Sequence, residues 1–79
     1  MSGNQAERER IGATLRTIRE LRGYTPDELA TEMGISRPYL SNIEAGRKNL
    51  TPRLLVRACE ALVVPQKSLI RDGYLPGSR

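Results

Sequence analysis

The sequence predicts an all-α domain of five short helices, and three observations carry that expectation. Hydroxyl residues stand before prolines or helix formers at Thr25-Pro26, Ser36 and Thr51-Pro52, where each would cap a helix start. Apolar residues recur at three- and four-residue spacing through Ile11-Leu15-Ile18, Leu29-Ala30-Met33, Leu40-Ile43 and Leu54-Leu55-Ala58-Cys59-Leu62-Val63. The chain has 79 residues and three aromatics, all Tyr, so one small core of Leu, Ile, Val and Ala is all it can build.

The first helix is expected over about residues 5–22, with Ile11, Leu15, Ile18 and Arg22 on one face and Asn4 with Glu7 as its capping box. Residues 1–6 read as a frayed start, the folded domain as 7–75, and residues 76–79 as a loose end. Glu7, Arg8, Glu9 and Arg10 read as a solvated face. Gly23 and Tyr24 turn the chain, with Tyr24 at the edge of the core. Thr25 caps the second helix and Glu28, three residues on, completes a capping box around Pro26. Gly34 ends it with positive φ. Ser36 caps a third helix over 36–45, whose inward residues are Leu40 and Ile43, and Gly46 closes it. Pro38 is tolerable there because the first N–H groups of a helix have no internal partner. Two short helices separated by a tight Gly-containing turn form a helix-turn-helix motif. The fourth helix follows Thr51-Pro52 and stops at Val64-Pro65. A short fifth is expected within 66–72, around Leu69 and Ile70.

Composition limits the function. One Cys and no His rule out an internal disulfide and disfavour a zinc site. They also remove the usual general bases and nucleophile pairs, so no catalytic residue, metal or cofactor is expected. Cys59 lies on the apolar stripe of the fourth helix and reads as a small buried hydrophobe; no sequence neighbour favours a reactive thiolate. No apolar run approaches the ~20 residues of a membrane span. The Met-Ser-Gly-Asn start lacks a hydrophobic signal region, and a cytoplasmic, nucleoid-associated location is expected. The net charge of +4 is uneven: residues 1–35 hold five Arg against six acids, and residues 36–79 hold eight Lys or Arg against three acids. The basic excess begins with the third helix, a pattern that favours a polyanion through counterion release. Charge alone is equally compatible with a soluble basic surface.

The chain closely resembles the lambda-repressor and Cro type of helix-turn-helix domain, the XRE-like bacterial and phage regulators. The likeness rests on Asp27-Glu28-Leu29-Ala30, the turn Met33-Gly34-Ile35-Ser36, and Leu40-Ser41-Asn42-Ile43-Glu44 followed by Ala45-Gly46-Arg47. It covers roughly residues 7–72. The resemblance implies a compact lambda-repressor-like fold that binds double-stranded DNA, with the third helix in the major groove. By position, Arg37, Pro38, Ser41 and Asn42 would then read bases. Arg37 has the fork that bonds guanine at O6 and N7 together, and Asn42 suits adenine or a phosphate. Pro38 can only pack on a thymine methyl or a sugar. The resemblance also implies an Arg19–Glu44 bridge beneath the motif, favoured over the bland alternative that both are ordinary exposed charges.

Phosphate contacts are expected from Thr25, Ser36, Tyr39, Arg47, Lys48, Asn49 and Arg53. The first two stand at helix starts and the loop residues track the backbone in relatives. The bland alternatives are a solvated polar loop and a Tyr39 that merely packs. Relatives often carry Gln where this chain has Pro26, so one customary backbone clamp is missing or passes to Thr25. The family often dimerises through its C-terminal region. That makes Leu69, Ile70, Tyr74 and Leu75 candidates for a homodimer interface, or simply for closing the monomer core. The expectation is a transcriptional regulator, a repressor acting as a homodimer on a two-fold symmetric operator. Two alternatives are an antitoxin-type autoregulator with a protein toxin as partner, and a protein-interaction module that kept the fold.

Overall fold

The computed structural model describes residues 4–63. They form four helices, α1 (Gln5–Leu21), α2 (Pro26–Met33), α3 (Arg37–Glu44) and α4 (Pro52–Leu62). No strand occurs among the described residues. The expected fifth helix over 66–72 lies outside them, as do Leu69, Ile70, Tyr74 and Leu75.

Each start is capped by its sequence. Asn4 Oδ1 accepts from the Glu7 N–H at 2.9 Å, so Gln5 and Ala6 already belong to α1. Thr25 and Glu28 close a reciprocal box at 2.9 and 3.2 Å, with Pro26 in the first turn of α2. Ser36 Oγ accepts from the Tyr39 N–H at 3.2 Å, and Thr51 Oγ1 from the Leu54 N–H at 3.3 Å. Gly34 takes the left-handed conformation, φ 74°, that lets α2 stop and turn into α3.

The apolar stripes meet in one core. Leu15, Ile18, Leu29, Met33, Leu40, Ile43 and Leu62 are fully enclosed, and Ile11, Ala30, Leu50, Leu54, Leu55, Ala58 and Cys59 complete it. In this core α1 packs on α3, and α2 packs on both α3 and α4. Tyr24 packs at the edge and its hydroxyl donates to the Ala61 carbonyl at 2.9 Å, tying the α1–α2 turn to the last turn of α4.

Two expectations about faces are corrected. Val63 is not part of the α4 stripe. It follows the last turn, in the left-handed region with φ 58°, and is 76% exposed. Arg22 does not share the buried face of α1; it is the exposed C-cap residue, and its guanidinium donates to the Val63 carbonyl at 3.4 Å. In both cases a periodic pattern was extended one step past the point where the backbone leaves the helix.

Among the described residues, no helix is long and apolar enough to cross a membrane.

Candidate nucleic-acid interface

The position of α3 is set by its inner side. Leu40 and Ile43 are buried, and the helix lies so close to α1 that Gly12 has no room for a side chain. A Cβ there would collide with the Ile43 carbonyl and stand 2.7 Å from the Glu44 carbonyl oxygen. Backbone therefore meets backbone at this crossing, a requirement only glycine satisfies. An isolated glycine within a helical pattern was the available sequence signal.

About two turns further along α1, Arg19 grips the end of α3. Its Nε donates to Glu44 Oε2 at 2.8 Å and Nη2 to Oε1 at 3.2 Å, while Nη1 donates to the Tyr24 carbonyl at 2.9 Å. The two side chains are only 7% and 9% exposed. Two parallel bonds between planar groups fix orientation as well as distance. This arrangement locks the rotation of α3 about its own axis relative to α1.

That locking decides what faces outward. Arg37, Pro38, Tyr39 and Ser41 are exposed, whereas Asn42 is half-buried. Arg37 stands at the first position of α3 and Pro38 at the second. Proline fixes φ in this turn and removes one N–H that had no partner. The Arg37 guanidinium is 3.8 Å from the Asp27 carboxylate in the first turn of α2.

The loop after α3 is built onto that helix. The carbonyl of Asn42 accepts from the N–H groups of Arg47 at 2.8 Å and Lys48 at 3.2 Å. Gly46 adopts φ 84°, and its carbonyl receives Arg8 Nε at 3.1 Å. Leu50 is buried and pins the far end. Arg47, Lys48 and Asn49 are left exposed on a short, anchored backbone. Beyond it, Tyr39, Thr51, Arg53 and Arg57 line an open cleft of about 290 Å³ together with Met33 and Leu54. Two guanidinium side chains and two hydroxyls suit an anionic group. Arg57 joins the cleft because α4 brings it against the motif turn, a placement that spacing does not reveal.

Thr25 and Ser36 are both occupied as caps. A hydroxyl that accepts in a cap keeps its own proton for donation outward. Cys59 is buried, and burial pushes its thiol pKa above the ordinary value.

α3 is thus a short helix with a buried inner side, a bridged end and an exposed outer side that carries Arg37. The sequence model of the helix-turn-helix domain family matches residues 10–69. The chain belongs to that family. Among curated relatives it is 36% identical over 69 residues to the HTH-type transcriptional repressor RghR of Bacillus subtilis, covering 85% of this chain and 51% of that protein. The chain thus spans about half the length of RghR. Among solved structures, the clp gene regulator ClgR of Corynebacterium glutamicum superposes with a TM-score of 0.78 at 39% identity, over 81% of this chain and 68% of that one. SinR, a master regulator for biofilm formation solved in complex with DNA, superposes with a TM-score of 0.71 at 31% identity, over 76% of this chain and 97% of that one. These family members are named for gene regulation, and one of them has been seen on DNA.

Proposed function

We propose that this chain is a sequence-specific double-stranded DNA-binding module of a transcriptional regulator, a repressor that acts as a homodimer. In this reading α3 enters the major groove. Arg37, Pro38, Ser41 and Asn42 read bases, and Thr25, Ser36, Tyr39, Arg47, Lys48, Asn49 and Arg53 hold phosphates. The observation that carries it is the division of α3: its inner side is buried and bridged, while Arg37 and Ser41 stand exposed on a helix that leads into the basic 47–49 loop and meets the α4 cleft at Tyr39. Phosphate contacts on both flanks would fix the register in which base edges are read. A homodimer would set two such helices about 34 Å apart, one turn of DNA.

The test is selection of bound fragments from a randomised duplex pool at near-physiological salt. Enrichment of a two-fold symmetric motif with half-sites one turn apart is expected. A single unpaired motif would remove the homodimer from the reading. Salt-sensitive binding with no enriched motif would remove base reading, and no binding by folded protein would favour a protein-interaction module instead.

A further inference from the structure

We infer that Asp27 is a specificity-determining residue, which acts by keeping Arg37 from being used on phosphate. The inference rests on the reading of α3 as the recognition helix and adds to it a residue outside the base-reading and phosphate-holding sets. Asp27 and Arg37 come from different helices, and their charged groups are 3.8 Å apart with side chains 72% and 61% exposed. A pair so exposed contributes little to folding. Its effect falls on whatever approaches from solvent.

Arg37 can serve two DNA ligands. A guanine edge offers two neutral acceptors in a geometry that fits the guanidinium fork, and a phosphate offers full negative charge in any sequence. On random DNA the second choice dominates and erodes discrimination. A carboxylate beside the guanidinium changes the balance between them. It repels a phosphate strongly and a neutral base edge weakly, so it disfavours the wrong use of Arg37 more than the right one. α2 carries Asp27, Glu28 and Glu32 and no basic residue. The Glu28 carboxylate is engaged by the Thr25 N–H, and Asp27 is the acid of this helix paired with Arg37. The first turn of α2 is also where Thr25 is expected against the DNA backbone, so the carboxylate lies where phosphates would pass.

The experiment compares wild type, Asp27→Asn, Arg37→Ala and the double variant on the selected operator and on a random duplex across a salt series. Glu32→Gln, one helical turn and more along α2, controls for simple loss of an acid, and thermal unfolding of each variant controls for folding. The expected result for Asp27→Asn is tighter binding to random DNA by about three- to tenfold, with the salt slope steeper by about one phosphate contact. The operator-to-random ratio should fall by nearly the same factor, since operator binding gains little. In the Arg37→Ala background the same substitution should leave the ratio unchanged. An unchanged ratio in the single variant, an equal fall with Glu32→Gln, or an equal fall without Arg37 would each overturn the inference while leaving DNA reading intact. Failure of wild type to bind duplex DNA would overturn the DNA reading, and the inference with it.

Discussion

The inner and outer sides of α3 lie within one helical turn of each other and differ in nearly every physical respect. Inside, Leu40 and Ile43 are enclosed, Gly12 admits backbone against backbone, and Arg19 holds Glu44 by two bonds away from water. Outside, Arg37 and Ser41 are exposed, and among the described residues Arg37 makes only a long ion pair with Asp27. The inner side tolerates almost no change of shape, because a packed interior transmits every lost or added methylene. The outer side tolerates most changes without cost to folding. One eight-residue helix therefore separates two kinds of selection, for fold and for partner, by face rather than by segment.

The sharpest way to break this comparison is from within. Leu40→Ala should cost about 2–5 kcal/mol of stability, measured by denaturant unfolding, because it opens a cavity between α1, α2 and α3. A cost below about 1 kcal/mol would mean that α3 is not fixed by its inner side. Glu44→Ala should come next, at about 3 kcal/mol, since it leaves the Arg19 guanidinium buried without its carboxylate. Replacing Arg19 and Glu44 together by Met and Leu should recover much of that loss. A double variant as unstable as the single one would show that the bridge does more than neutralise a buried charge.

On the outer side the same assays should register nothing, and DNA binding should register everything. Arg37→Ala is expected to cost about 1–3 kcal/mol on the operator and relax preference at one base pair, with the melting temperature unchanged. Equal losses on operator and random duplex would remove Arg37 from the readers. Lys48→Ala is expected to weaken binding to all sequences and lower the salt slope by about one. The smallest effect belongs to Cys59. Burial raises its thiol pKa in the fold, so its contribution is fully present below the unfolded pKa and is lost as pH rises through the folded one. Modification by a thiol reagent should proceed only as fast as the fold opens; rapid labelling of the native protein would place the thiol elsewhere.

How much of this was legible beforehand follows the range of each interaction. The caps at Thr25, Ser36 and Thr51 were legible because donor and acceptor lie within three residues. The apolar stripes located the core for the same local reason. Gly12 was missed because the atoms that exclude a side chain there belong to residues 43 and 44. Arg57 and Asp27 were passed over likewise: each matters through a group on another helix. Val63 was misplaced because periodicity carries no notice of where a helix ends when no glycine or cap announces it. The Arg19–Glu44 pairing was suggested by family likeness and not by any rule of spacing. The expected fifth helix and dimer contacts fall outside residues 4–63.

The Asn42 carbonyl that accepts from both Arg47 and Lys48 has a consequence for the shape of the target. It makes the interval between the reading helix and the basic loop a fixed length in peptide units, a gauge rather than a tether. In the proposed binding mode, that gauge would span from a base edge to the neighbouring strand's phosphate only on a duplex with an open major groove. An A-form helix has a deep and narrow major groove that side chains cannot read, so α3 would find no entry there. DNA would thus be told from double-stranded RNA by dimension, before any base is read.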